Sequence, residues 1–206
     1  GFGKVAPGNL PAARRIMQEE ASKVEADMRA AAPGSGRLVA VTRLEEHMLA
    51  QLKAQLVDFL DYECQVLPGF RPLYLEYEFD AAHAQEYAGC QMVGKVDRID
   101  VDDAGHAVVI DYKGSVGPEY DIAGKDPLHP GKVQARIYAQ MVKRALGLDV
   151  VGALYLGYGK RHALAGAVDS RVVEAAHVPG ARKDALWCAL GPAELAGDGS
   201  EQATAF

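Results

Sequence analysis

Cysteine is scarce in this sequence. Only three of the 206 residues are cysteine, Cys64, Cys90 and Cys188. They are odd in number, far apart and form no CxxC pair, which speaks against a disulfide framework and against a zinc or iron–sulfur centre. They read as small hydrophobes. The histidines show no HExxH or other paired ligand spacing. No run approaches the roughly 20 apolar residues that a membrane-spanning helix needs, and the N-terminus lacks the charged-then-apolar order of an export signal. The expectation is a soluble, cytoplasmic protein with no membrane partner. Positive charge is in deficit as well: 22 lysines and arginines against 28 aspartates and glutamates give a net charge of −6. That excludes bulk attraction to polyanions and leaves any nucleic-acid contact to a local basic groove. With 49% hydrophobic and 24% charged residues, the chain has enough apolar side chains for a sizeable core. It starts at Gly1 without a methionine and ends in the small, polar tail "AGDGSEQATAF", so it reads as an excised piece of a longer protein.

Periodicity places the elements. Ile16, Glu20, Val24 and Met28 recur at near-helical spacing from Leu10 to about Ala32, and "PGSG" at 33–36 ends that helix. A second helix opens at "TRLE", where Thr42 and Glu45 form a capping-box pattern, and carries Leu44, Met48, Leu52, Leu56 and Phe59 on one stripe. "LPGFRP" at 67–72 stops it and launches the strand "LYLEYEF". "CQMVGKVDRIDV" and "HAVVIDYK" are two β-rich runs joined by the turn "DDAG". A loop over 114–131 leads to a helix, "KVQARIYAQMVKRALG", with Val133, Ile137, Met141 and Ala145 on one stripe and Gly147 as its stop. "VVGALYLGYG" reads as a buried strand and "SRVVEAAHV" as a further one. This order predicts a mixed-sheet α/β domain with a helical lead-in. The boundaries are a lead-in at 1–36, the main domain at 37–185 and a tail at 186–206.

The hairpin holds the most specific pattern. With its turn centred near Ala104, residues whose numbers sum to about 208 face one another, so Asp97 lies opposite Asp111. Alternation then puts Lys95, Asp97, Ile99, Val109, Asp111 and Lys113 on one face. Arg98 and Asp100 point to the other face as a structural pair, and Asp102 and Asp103 serve the turn. Facing carboxylates cost about 0.2–1 kcal/mol on an exposed sheet. Two arrangements relieve that repulsion: a solvated ladder neutralised by Lys95 and Lys113, or a hard divalent cation between the acids. The greasy flanks "VVI" and "MVG" favour strands deep in a sheet, where exposed ladders are uncommon.

The pieces "GKVDRID", then "DYKGS", then "QARIY" on a helix resemble, in order and spacing, the PD-(D/E)XK nuclease superfamily, in particular its RecB-like branch found in AddB-type helicase-nuclease subunits. The resemblance covers roughly residues 42–160. It implies a restriction-endonuclease-like core and a Mg²⁺- or Mn²⁺-dependent deoxyribonuclease, an exonuclease of DNA repair or recombination. Its partners would be DNA and a helicase domain or partner subunit. Asp97 and Asp111, with the backbone carbonyl of Tyr112, would ligate the metal. Lys113 would complete the catalytic set beside the attacking water. Glu76 matches an acidic residue on the preceding strand and would add to the metal site. Gln134 and Tyr138, four apart on one helical face, would line the DNA groove with Lys95 and Arg136. "YGKRH" at 158–162, with Lys132, Lys143 and Arg144, would extend the basic track. One departure stands out: the branch carries an upstream helical histidine, and His47 is the only histidine in the upstream helical region. The alternative reading is a nuclease-fold module that binds DNA or a partner subunit without cutting.

Overall fold

Local sequence rules set the first two helices of the computed structural model, which describes residues 3–40, 42–81, 84–87, 89–120, 130–160, 162–169 and 186–190. Helix α1 spans Leu10–Ala30 with a proline in its first turn, and α2 spans Arg43–Glu63. The capping box forms as the sequence predicts. The Thr42 hydroxyl accepts the Glu45 N–H at 3.2 Å, and the Glu45 carboxylate accepts the Thr42 N–H at 2.8 Å. The two helices lie antiparallel, tied by Glu25, which takes both Arg29 and Lys53, and by Arg29 to Glu46. They form one compact unit, Val5–Cys64. Their predicted apolar stripes are largely exposed: Ile16, Val24, Met28, Leu44, Met48 and Leu52 all face out, whereas Phe59 is buried. Among the described residues no helix is long and apolar enough to cross a membrane.

The second unit, from Gln65 onward together with residues up to Lys4, is built on a six-stranded mixed sheet. In chain order its strands are β1 (Arg71–Phe79), β4 (Gly94–Val101), β5 (His106–Lys113), β6 (Asp149–Gly157), β7 (Ala163–Asp169) and β8 (Leu186–Leu190), and they are neighbours in that same order. Two short strands, β2 (Gln85–Tyr87) and β3 (Cys90–Met92), pair separately. The run "CQMVGKVDRIDV" is therefore two strands, broken at the exposed Val93. Strands β5 and β6 are parallel, and helix α3 (Pro130–Leu146) makes the crossover between them. The mixed α/β class and the restriction-endonuclease-like layout expected from the sequence both hold.

Helix α3 buries Ala135, Ala139, Met141 and Val142 in a core with Ile99 and Val109 of the hairpin and Ala153 and Tyr155 of β6. Of the predicted stripe, Met141 is buried in this core and Ile137 packs against it, while the Val133 side chain lies outside the described residues. Ala145 is exposed, and the small alanines at 135 and 139 are buried against the sheet in its place. Gly147 ends the helix at φ 65, its N–H bonded to the Lys143 carbonyl at 3.0 Å.

Strand β7 is hidden in the sequence. "ALAGAVD" has Val168 as its single β-branched residue and no aromatic, the types that usually mark strands, yet it is buried from Leu164 to Asp169. Its smallness has a cause: a Cβ at Gly166, where φ is 122, would lie 2.2 Å from the Ala153 carbonyl oxygen. The segment "SRVVEAAHV" lies outside the described residues.

Gly166→Ala should therefore cost about 2–4 kcal/mol through combined strain and clash. Gly105→Ala, at φ 87 but with no atom near the added methyl, should cost about 1 kcal/mol. Urea denaturation of both variants measures the gap, and equal midpoints would contradict the close approach of β7 to β6.

Candidate active site

The β4–β5 turn fixes the register of the hairpin. Asp102 accepts the N–H groups of Ala104 and His106 at 2.9 and 2.8 Å and contacts His106 Nδ1 at 2.7 Å, while Gly105 supplies the positive φ. From this turn the pairs run Val101↔Ala107, Asp100↔Val108, Ile99↔Val109 and Arg98↔Ile110, the sum of 208 expected from the sequence. Beyond the last pair the ladder gives way to a side chain. Asp97 Oδ2 accepts the N–H of Tyr112 at 2.8 Å. On its other side β5 stays paired with β6 as far as Lys113↔Gly157, and the Lys113 carbonyl accepts the Tyr158 N–H at 3.0 Å. Asp111, Tyr112 and Lys113 are thus held by β6 on one flank and by the Asp97 carboxylate on the other.

The irregularity has a counterpart on β1. Leu75↔Arg98 and Tyr77↔Val96 bracket Glu76, which faces Asp97 with φ 53, left-handed backbone that a glutamate rarely adopts. Its carboxylate is ion-paired with Lys95, and both side chains are more than half exposed. The Glu76 contact and the nearby Glu78 and Asp97 carboxylates raise the Lys95 pKa.

Asp111 is 5% exposed. Burial pushes its carboxyl above the ordinary value, the Lys113 ammonium pulls it back, and Asp97 pushes it up again, with a net rise. Among the described residues its Oδ2 is buried and accepts no well-directed hydrogen bond, although the Lys113 ammonium stands against it as an ion pair. For Lys113 itself, burial is the largest influence and lowers the pKa. The carboxylates of Asp111 and Asp97, together with Tyr120, outweigh it and leave the pKa raised. Lys113 is therefore an ammonium, a fixed positive charge rather than a base.

Gln134 ties the helix to this pair. Its Oε1 accepts from Lys113 Nζ at 3.3 Å, and its Nε2 donates to Asp111 Oδ1 at 3.2 Å and to the Tyr138 hydroxyl at 3.1 Å. The opposite amide orientation would set NH₂ against an ammonium, so the lysine and the aspartate together dictate the orientation. Tyr138 also lies over Gly94, where a Cβ would be 3.4 Å from its ring. Arg136, half-buried, sits on the same turn of α3.

Two further tyrosines belong to the cluster without any motif to mark them. Tyr155 pairs with Asp111 in the parallel register, is fully buried, and accepts the Ala135 N–H at 2.7 Å. It pins α3 next to Gln134. Its ring lies 5.8 Å from Lys113 Nζ and 4.8 Å from the Tyr120 ring. Burial pushes its phenol far up, so it stays neutral. A tyrosine in "GALYLGY" carries no sequence signal for a contact made across layers.

Among the described residues no group of three or more His, Cys, Asp or Glu side chains stands ready for a metal. Two neighbouring carboxylates are nevertheless the donor type that suits a hard cation, one that keeps waters and takes phosphate oxygens. The buried Asp111 carboxylate, ion-paired with Lys113, fits that donor set. Cys64 is buried and Cys90 exposed. His47 is exposed on α2, in the other compact unit. Of the basic track, Lys160, Lys143 and Arg144 are exposed. Arg161, His129, His177 and the Lys132 side chain lie outside the described residues.

No curated protein matches the chain. A family model does: residues 4–195 match that of the PD-(D/E)XK nuclease superfamily, a span that contains the hairpin, α3 and β6. By that match over nearly its whole length, the chain belongs to the PD-(D/E)XK nuclease superfamily.

Proposed function

We propose that the chain is a metal-dependent deoxyribonuclease of the RecB-like branch, acting on DNA ends as an exonuclease within a larger helicase-nuclease assembly of repair or recombination. The observation that carries the reading is the buried Asp111 carboxylate, held beside Asp97 and against an ammonium, with an oxygen that no well-directed hydrogen bond satisfies. A structural ion pair has no need of the second acid. The ordered motifs "GKVDRID", "DYK" and "QARIY" support the choice of branch.

Asp97, Asp111 and the Tyr112 carbonyl would hold Mg²⁺ or Mn²⁺, which supplies Lewis acidity and an acidified water when bound. The residues of the chain do the rest. Lys113 places a permanent positive charge where negative charge grows on the phosphate during attack. Gln134 keeps that ammonium from collapsing wholly onto Asp111 by offering it a second acceptor. Tyr155, neutral and buried, keeps water from the underside of the pair. Lys95 and Arg136 are placed to meet phosphates of the strand, and Lys95 would first have to part from Glu76.

Linear DNA should be degraded in Mg²⁺ or Mn²⁺ and a covalently closed circle spared. Asp111→Ala should reduce the rate to background, and Lys113→Ala by about 10²–10³-fold, the usual effect of losing one electrostatic stabiliser. Both variants retaining the wild-type rate, with fold verified by circular dichroism, would refute the assignment. Salt-sensitive DNA binding without products, in any cation, would instead identify a binding module.

The pH dependence carries a sign. A raised Asp111 pKa means that the carboxyl loses its proton at higher pH than an ordinary aspartate, and cation and proton compete for it. The acid limb of the cleavage rate should lie above the ordinary carboxylate range at low Mg²⁺ and move to lower pH as Mg²⁺ rises. Rate profiles at two Mg²⁺ concentrations test this, and an acid limb that ignores Mg²⁺ would count against Asp111 as a ligand. Because the Lys113 pKa is raised, any loss of rate below about pH 10 must come from another group.

A further inference from the structure

The hairpin carries a second polar cluster, on the face opposite Ile99, Val109 and Asp111. Arg98 and Asp100 are almost wholly buried. The guanidinium forks onto the carboxylate, Nε to Oδ1 at 2.5 Å and Nη2 to Oδ2 at 2.7 Å. Its third arm is spent elsewhere: Nη1 donates to the Tyr112 hydroxyl at 2.8 Å. Tyr112 is the residue whose N–H is taken by Asp97, and it stands between Asp111 and Lys113. This one residue is therefore gripped at its backbone by an acid of one face and at its phenol by an arginine of the other.

We infer that Arg98, locked by Asp100, is a positioning residue for the metal site, acting across the sheet through the Tyr112 phenol to set the Tyr112 peptide and the two side chains that flank it. The inference rests on the metal-site reading above. A guanidinium suits the task because its planar fork is rigid once one edge is bidentate, so the remaining Nη1–H points in a fixed direction. A phenol held by a fixed donor restricts the rotation of its own strand residue. The restraint falls where β4 no longer supplies ladder bonds to β5, at the point where the peptide is least held by the sheet. Arg98 touches neither substrate nor cation in this scheme. It governs the precision with which the Tyr112 carbonyl and the Asp111 carboxylate are presented.

The test uses the whole chain and Mn²⁺ alone as probe, with binding read by calorimetry or by the electron paramagnetic resonance of free Mn²⁺. Tyr112→Phe keeps ring and packing and removes only the hydroxyl. It should weaken Mn²⁺ binding about 5–10-fold, lower kcat at subsaturating Mn²⁺ with partial recovery at high Mn²⁺, and leave KM for DNA unchanged. Arg98→Lys keeps the charge and loses the fork, and should weaken binding to a similar degree. The double variant should bind no more weakly than the worse single one, because both changes break the same link. Unchanged Mn²⁺ affinity in Tyr112→Phe, with wild-type binding intact, would overturn this inference and leave the nuclease reading standing, even were Arg98→Lys not to fold. Additive losses in the double variant would overturn it too. A wild-type chain that binds no Mn²⁺ would remove the metal-site reading and this inference together.

Discussion

The hydrogen bond from the Tyr112 N–H to the Asp97 carboxylate decides the character of the site. In a regular antiparallel pair that N–H would meet a main-chain carbonyl of β4. Here a side chain takes its place, which brings an ionised oxygen to the edge of β5 and ends the ladder at Arg98↔Ile110. A charge-assisted bond of this kind is stronger than the neutral one it replaces, so the strand loses little by parting from its neighbour. Glu76 records the cost on the other flank, with a left-handed backbone directly across from Asp97. Strain of roughly 1–3 kcal/mol is tolerable there because β4 is anchored further along by Ile99 and Val101, which are buried with Val109 and Ala107.

Charge in this region is arranged in tiers rather than pairs. Asp111 is buried and pushed toward protonation, Lys113 is half-buried and pushed toward the charged form, and Gln134 shares itself between them. An ion pair alone would satisfy neither group fully, since each has bonding capacity left over. The surplus on the acid side is what a cation would meet in the proposed function. On the opposite face, the Arg98–Asp100 pair shows the contrary design. It is fully forked, and removing one partner would leave the other as an uncompensated charge costing about 3–5 kcal/mol. One face of the same hairpin carries a fully forked pair, and the other keeps bonding capacity in reserve.

How much of this the sequence discloses depends on the range of the interactions. The hairpin register is legible because "DDAG" fixes a turn through short contacts of Asp102 and the positive φ of Gly105. Gln134 and Tyr138 are legible as a pair because helical geometry alone puts residues four apart together. The buried face of α3 is legible only in part, because periodicity picks out Ile137 and Met141, while close packing on the sheet also selects Ala135 and Ala139, which are too small to announce it. Strand β7 escapes notice for the same reason: near Ala153 only a glycine fits at 166. Tyr155 is illegible in a different sense. Its hydroxyl meets the Ala135 N–H twenty residues away in sequence, and nothing in either local pattern announces that bond.

These long-range contacts give α3 a role beyond covering the sheet. The helix enters the site at Gln134, and its placement there is set by the phenol of Tyr155 at the adjacent residue, while Tyr155 itself sits beside Asp111 in the parallel register of β5 and β6. The acid and the amide that reads it are thus positioned from one strand, β6, which supplies no charged group of its own to the cluster. A parallel pair with a helical crossover brings this about naturally, because the helix must pack back over the two strands it connects. The residues of the proposed site lie on β4, β5 and α3, but their spacing depends on an apolar strand and one buried phenol.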